Sequence, residues 1–169
     1  MFGLISLSAI LVLVPAAAAG PRAADRAVPA SLRAASPTVL RQQNTSTVDL
    51  VQVQLVLPKK VRVGKTFSVL DEVENQGESF AANSVTGFYL SLDDQFDEKD
   101  LLVGARRVPQ LASQQAHNTV TPVTIKAPVP AGDYYLIALA DARHDLEERY
   151  RSNNTRAAKV TVEPAKEKE

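Results

Sequence analysis

The stretch GDYYLIALAD, residues 132–141, decides the fold class of this chain. Side chains alternate between the two faces of a β-strand, so this run separates into two apolar sets. One set is Tyr134, Leu136, Ala138 and Ala140, and the other is Tyr135, Ile137 and Leu139. A strand in a sandwich normally turns one face to the core and the other to water. The sequence therefore predicts a strand whose second face, the outer stripe (Tyr135, Ile137 and Leu139), needs a cover or a partner.

Six further short runs typical of β-strands lie before and after that stretch, separated by turn residues. No segment with a helical period lies between them, and a parallel sheet would require crossover connections, usually helices. About seven short strands with turns between them predict an antiparallel sandwich or barrel. The predicted strands are Val48–Leu57, Thr66–Glu74, Ser84–Leu92, Leu101–Val108, Asn118–Ala127, Tyr134–Asp141 and Arg156–Val162.

The position of Tyr134 narrows this choice to one architecture. In immunoglobulin domains, a Tyr near the start of the sixth strand lies two residues before a core position, and its hydroxyl bonds to nearby backbone. Tyr134 has that spacing from Leu136. We therefore predict an all-β chain with a seven-stranded, immunoglobulin-like antiparallel β-sandwich and Greek-key connections.

The composition argues against several classes of function. The formal net charge is zero, whereas nucleic-acid binders usually carry a basic excess, so we expect no nucleic-acid partner. There is no Cys, which excludes disulfides, Cys-ligated zinc and Cys nucleophiles. The only histidines are His117 and His144. His144-Asp145 resembles part of a catalytic triad, but nothing in the sequence resembles a nucleophile elbow. We predict that the protein is not an enzyme.

The ends of the chain differ from its centre. Residues 1–19 are almost wholly apolar and end in small residues, a pattern that predicts a cleaved signal peptide. The first basic residue is Arg22, so the usual basic start of a signal is missing. Residues 20–47 predict a disordered linker, residues 48–162 the β-sandwich, and residues 163–169 a charged tail. These expectations place the protein outside the cytoplasm, secreted or periplasmic, with no stable membrane span after cleavage.

Short motifs follow one another along the β region in a specific order. They are Asp49-Leu50, Gly64-Lys65-Thr66-Phe67, Glu74-Asn75-Gln76-Gly77, Phe88-Tyr89-Leu90-Ser91, Leu101-Leu102-Val103-Gly104, Pro130-Ala131-Gly132-Asp133-Tyr134-Tyr135-Leu136, Glu147-Glu148 and Asn153-Asn154-Thr155. Together they resemble the CARDB domain, the cell-adhesion-related domain found in bacteria, over roughly residues 48–162. The resemblance implies an immunoglobulin-like sandwich of seven strands in an exported or surface protein, often repeated in tandem. It implies no catalytic residues.

Asp71 departs from this pattern. It is in phase with Phe67, Val69 and Val73, where the resemblance leads us to expect an apolar residue. A buried carboxylate needs a partner or becomes protonated. We therefore expect that Asp71 pairs with a basic group or that a bulge turns it outward.

The acidic loop (Asp93–Asp100) carries the strongest hint of a ligand. Calcium is bound by several oxygen atoms from flexible loops, and Asp93, Asp94, Asp97 and Asp100 could supply them. The spacing is not that of an EF-hand. The alternative is a solvated turn in which Asp side chains accept hydrogen bonds from backbone amides. Calcium is therefore a candidate ligand, and no cofactor is required.

A second polar cluster precedes the last strand. Because Asn and Asp in loops usually bond to backbone, we interpret it as holding the turn rather than as a ligand site. Its members are Asp141, Asp145, Glu147, Glu148, Asn153 and Asn154.

Two functions remain open at this point. The first is a non-catalytic binding or structural module that contacts protein or carbohydrate at the cell envelope. Under this hypothesis the outer stripe is a contact surface for a partner or a second copy, unless the linker or a loop such as Ala81–Ser84 covers it. The alternative is an assembly or chaperone role in which a sheet edge accepts a strand from a client, by β-augmentation. Pro58, Lys59 and Lys60 argue against it, since Pro and Lys block pairing at edges.

Overall fold

The computed structural model describes residues 47–126 and 128–166. The predicted signal peptide, the predicted linker except Thr47, and the last three residues of the predicted tail lie outside the described residues. Among the described residues, no helix is long and apolar enough to cross a membrane. The strands are β1 (Leu50–Val56), β2 (Lys60–Arg62), β3 (Thr66–Asn75), β4 (Ser84–Ser91), β5 (Leu101–Val108), β6 (Ala116–Thr124), β7 (Gly132–Leu139) and β8 (Thr155–Glu163).

The strands form two sheets, and the predicted all-β sandwich is confirmed. One sheet has the order β1-β3-β6 and the other β2-β8-β7-β4-β5. Neighbours in space are therefore seldom neighbours in sequence, as in a Greek key. Every pair is antiparallel except β2 with β8, which is parallel.

The parallel pair arises where the chain changes sheet. Pro58 separates β1 from β2, and without an N–H it cannot continue the β1 ladder. The chain then moves to the other sheet, where the Thr161 amide donates to the Lys59 carbonyl at 2.9 Å. This three-residue β2 strand is the eighth, in addition to the seven that we predicted.

Strand β7 lies in the middle of the five-stranded sheet, as its apolar sequence predicts. Leu136 and Ala138 are buried in the main core, and Tyr134 packs against it. The Tyr134 hydroxyl donates to the Pro130 carbonyl at 3.1 Å, so the predicted bond from this Tyr to nearby backbone is present. The inward phase that we predicted for β7 is therefore correct.

The core between the sheets has two parts. The larger contains Phe88, Leu136 and Ile125, all fully buried. The smaller, around Leu50 and Leu111, lies beneath the loops at one end of the sandwich. Burying each side chain of this size contributes about 1.5–3 kcal/mol relative to exposure.

Asn75 joins the loops at that end. Its side-chain amide donates to the carbonyls of Ser79, Leu111 and Ala112 at 2.7–3.2 Å. Its Oδ1 accepts from the Gly77 amide at 3.1 Å. The segment of residues 75–77 is thus held to the loop between β5 and β6 by one fully buried side chain.

Strands β1 and β8 begin at the same end of the sandwich. Asn153, just before β8, donates through Nδ2 to the Asp49 carboxylate, just before β1, at 2.9 Å. The parallel pairing of β2, which follows β1, with the last three residues of β8 shows that these two segments run in the same direction. The described chain therefore enters at one end of the sandwich and leaves at the other.

Candidate functional site

A buried ion pair links the two sheets through the core. Asp71 on β3 is fully buried, and the Arg106 side chain on β5 is 5% exposed. Arg106 Nε lies 2.7 and 2.9 Å from the two carboxylate oxygens, and Nη2 lies 2.7 Å from Oδ2. Gln52 Nε2 donates to the same Oδ2 at 3.3 Å. This answers the question that the sequence left open, because Asp71 stays inward and pairs with a basic group.

Sequence reasoning missed Arg106 as the partner. It lies two residues before Val108, so it occupies an inward position of the fourth predicted strand. The alternation of inward and outward side chains along the strand could have indicated this, but a charged residue on an edge strand is usually expected to face water.

Arg106 also fixes the imidazole of His117 on β6. Arg106 Nη1 lies 3.1 Å from His117 Nδ1, and Nη2 donates to the His117 carbonyl at 3.2 Å. A guanidinium has only donors, so Nδ1 must be the acceptor in this contact. Neutral His117 consequently carries its proton on Nε2.

The loop between β7 and β8, residues 140–154, is held by two buried carboxylates. Asp141 has φ +46° and accepts from the amides of Asp145 and Leu146 at 3.0 and 3.2 Å. Glu148 accepts from the Leu50 amide and from Asn154 Nδ2, both at 2.8 Å. Burial raises the pKa of Glu148, and these hydrogen bonds, with the charge of Arg151, act in the opposite direction.

The second polar cluster predicted from the sequence is therefore largely structural. Asp141, Glu148 and Asn154 are buried and bonded to backbone or to one another. Arg151 Nη1 lies 3.2 Å from both buried carboxylates. The interpretation that this cluster holds the turn agrees with these bonds.

The outer stripe is largely buried, which favours a cover, one of the two alternatives that the sequence left open. Ile137 is fully buried and Leu139 is 6% exposed, whereas Tyr135 is partly accessible. The reason is that neighbouring strands and a loop cover the stripe. Tyr89 lies opposite Ile137 across the sheet, and its ring contacts that of Phe96 in the acidic loop at 4.7 Å. Phe96 also lines one cleft with Leu139, so the acidic loop lies beside the stripe, a position that the sequence did not suggest for it.

The acidic loop is a set of local turns. Asp93 Oδ1 accepts from the Gln95 amide at 2.9 Å, and Asp97 Oδ1 from the Lys99 amide. Asp100 Oδ2 accepts from the Asp97 amide at 2.9 Å. Among the described residues, no three His, Cys, Asp or Glu side chains form a group that could hold a metal ion. Calcium binding by Asp93, Asp94, Asp97 and Asp100 stays a prediction.

Neither histidine stands in a catalytic arrangement. His117 is bound to Arg106, and the His144 amide donates to the Asp141 carbonyl in a turn with φ +56°. No hydrogen bond within residues 47–126 and 128–166 links either imidazole to a Ser or Thr hydroxyl. The described part of the chain thus provides no nucleophile–base pair.

Two of the surface clefts in the described part of the chain are lined by side chains of both charge signs. The arginine cleft, of about 610 Å³, lies between β4, β5, β6 and the β7–β8 loop. Its polar lining residues are Asn83, Ser84, Arg107, His117, Arg143 and Asp145. The tyrosine cleft, of about 480 Å³, is lined by Tyr135 and by polar residues that include Lys59, Asp133 and Lys159. Lys159 Nζ lies 5.6 Å from the centre of the Tyr135 ring. Sequence reasoning identified neither cleft.

The fold and its polar interior define an immunoglobulin-like β-sandwich. The sequence model of CARDB matches residues 47–158, about two thirds of the chain. The chain therefore belongs to the CARDB family, a family of non-enzymatic domains. No curated protein matches this chain.

Solved structures show the same fold. One is the crystal structure of a CARDB domain from Pyrococcus furiosus in complex with di-metal ions, at 20% identity and TM-score 0.52, covering 69% of this chain and 89% of that one. The same domain solved by NMR has 20% identity and TM-score 0.52, covering 68% and 94%. A domain from Methanosarcina acetivorans, named as part of a cell surface protein, has 23% identity and TM-score 0.51, covering 69% and 93%. At these identities the similarity concerns the fold alone.

Proposed function

We propose that this chain is an exported, non-catalytic module that binds a protein or carbohydrate partner at the cell envelope. The observation that carries the proposal is that every sheet edge is protected while the polar loops and clefts stay accessible. Such a construction supports binding through loops and clefts. It does not favour the addition of a client strand to a sheet edge.

The edges of the three-stranded sheet are blocked in two ways. On β1, the Leu50 amide donates to Glu148 and the Gln52 amide donates to the Asn153 carbonyl at 3.2 Å. Amides that a new strand would need are therefore already bonded. On β6, Pro122 lacks an N–H and interrupts any further pairing.

The edges of the five-stranded sheet are blocked differently. Strand β2 has three residues and carries Lys60, so it offers little length for pairing. On β5, Arg106 points inward, and the ladder with β4 is irregular between Phe88 and Tyr89. An inward charge and a bulge are both common protections of an edge strand. These features favour the binding module over the β-augmentation alternative.

A binding experiment separates the two functions. The full chain, immobilised, is challenged with envelope polysaccharides, folded envelope proteins and a panel of unfolded proteins. The binding module predicts saturable retention of one folded protein or one saccharide class and none of the unfolded panel. Retention of many unfolded proteins would favour β-augmentation and would contradict the proposal.

Export is tested by the mature N-terminus. Purification from the native source followed by N-terminal sequencing should give a start near Ala19 or Gly20 in the secreted or periplasmic fraction. An intact Met1 in the cytosol would refute export.

A further inference from the structure

We infer that the arginine cleft binds the carboxylate of a saccharide that contains a uronic acid. This inference rests on the proposed binding function and adds the class of ligand. It is carried by side chains from three elements that line one cleft, Arg107 on β5, His117 on β6 and Arg143 in the β7–β8 loop.

The two arginines are free to bind an anion. Both are exposed, and within residues 47–126 and 128–166 neither has a carboxylate oxygen within 4.0 Å. A guanidinium offers a planar fork of N–H donors that matches the two oxygens of a carboxylate. Two such groups lining one cleft favour an anionic ligand over a neutral one.

His117 adds a donor whose orientation the core fixes. Because Nδ1 accepts from Arg106, the proton lies on Nε2, at the far side of the ring from the buried guanidinium. Nε2 has no hydrogen-bond partner in the described part of the chain. The buried Asp71–Arg106 pair therefore acts as a positioning group that orients the imidazole of His117, one of the residues that line the cleft.

The opposite wall of the cleft is equally fixed. Asp141 accepts from the Asp145 amide at 3.0 Å, and the Ala142 amide donates to the Val85 carbonyl on β4 at 2.8 Å. Arg143 and Asp145 stand in this pinned turn. Val85 pairs with Arg107 in the ladder between β4 and β5, so both sides of the cleft are attached to one strand. A ligand would find these backbone positions already ordered.

Asp145 determines which anion fits. Its carboxylate repels a phosphate group, which carries a charge of about −1.5 to −2 at neutral pH, more strongly than it repels a carboxylate. It also accepts a hydrogen bond from a hydroxyl group. A single carboxylate with hydroxyls nearby satisfies the arginines, His117 and Asp145 together, and a uronic acid has that chemistry.

The test is an NMR titration of the full ¹⁵N-labelled chain at constant ionic strength. Sodium glucuronate should give saturable shifts at the amides of Val85, Arg107 and Asp145, while glucose gives none and inorganic phosphate binds more weakly. Arg107→Gln/Arg143→Gln should lose about tenfold or more in affinity, since a hydrogen bond to a charged group supplies at least one decade. The matched control Arg149→Gln/Arg156→Gln removes the same charge at exposed positions outside the cleft and should bind as the parent does. Because all four arginines are exposed, the dispersed amide spectrum should persist in both variants.

A further variant tests selectivity. Asp145→Asn should raise the affinity for phosphate relative to glucuronate, because the repelling charge is gone. The inference is overturned by an absence of saturable shifts with glucuronate, by phosphate binding as tightly as glucuronate to the parent chain, by unchanged affinity of the cleft variant, or by unchanged selectivity of Asp145→Asn. Retention of an envelope partner by the Arg107→Gln/Arg143→Gln variant would refute the cleft and leave the proposed function standing. No retention of any folded partner or saccharide by the parent chain would refute the function itself.

Discussion

Arg106→Met tests how much the fold depends on its buried ion pair. The change leaves Asp71 fully buried, with only the 3.3 Å contact from Gln52 Nε2 among the bonds described for its carboxylate. Removing one partner of a buried pair costs about 3–5 kcal/mol, because the other charge stays desolvated. Domains of this size unfold with about 5–15 kcal/mol, so the variant should lose a large part of its stability.

The assay is thermal unfolding followed by far-UV circular dichroism, since the chain has no Trp to report by fluorescence. At about 4 °C per kcal/mol, the melting temperature should fall by roughly 12–20 °C. Two variants provide the controls. Arg62→Met removes a half-exposed pair with Glu163, whose side chains are 32% and 37% exposed, and should cost at most about 1 kcal/mol.

The second control removes both charges of the buried pair. Asp71→Leu/Arg106→Met should recover most of the loss, since two apolar side chains of similar volume often replace a buried pair without cost. A loss of about 1 kcal/mol or less in Arg106→Met would refute the reasoning. So would a double variant as unstable as the single one, because the cost would then not come from an unpaired charge.

Three more predictions follow from single sites. Gly77→Ala should destabilise by about 1–3 kcal/mol or more, because a Cβ there would lie 2.0 Å from the Thr47 carbonyl oxygen. Gly64→Ala, at a residue with φ +77° and open space around it, should cost about 1–2 kcal/mol in thermal melts. A larger loss for Gly64→Ala than for Gly77→Ala would contradict this prediction. Glu148→Gln should gain stability relative to the parent as the pH rises above 4.5, the ordinary pKa of glutamate. The reason is that the pKa of Glu148 is raised in the folded state, so ionisation of this carboxyl destabilises the folded parent. Melting temperatures of the two proteins that change in parallel across pH 4–7 would exclude this effect. Calcium binding by the acidic loop predicts a saturable calorimetric heat that Asp97→Asn abolishes, and the absence of heat at about millimolar calcium would remove this candidate.

The sequence predicts much of this fold because its strands carry strong local signals. The alternation in residues 132–141 and the spacing of Tyr134 from Leu136 follow from the geometry of one strand. The identity of the Asp71 partner does not, because 35 residues separate it from Arg106 and only the packing of two sheets brings them together. Asp71 itself indicated that a partner was needed.

The candidate site was predictable only in part, for a related reason. The sequence left open whether the outer stripe is covered, because a strand pattern cannot show which loop lies beside a face. Here Phe96 of the acidic loop packs against Tyr89, the neighbour of Ile137 across the sheet. The arginine cleft combines single residues from three elements, none of which forms a motif. Arg107 and Arg143 look like ordinary surface charges until the fold places them in one cleft lining.

The opposite positions at which the chain enters and leaves the sandwich have a mechanical consequence. Tension applied through the two ends would run along β1 and β8, and the hydrogen bonds between β1 and β3 lie across that axis. These hydrogen bonds would then be loaded in shear and would resist the force together, instead of breaking one after another. Force spectroscopy should therefore show a single high unfolding peak, the behaviour expected of a load-bearing spacer between two points of attachment.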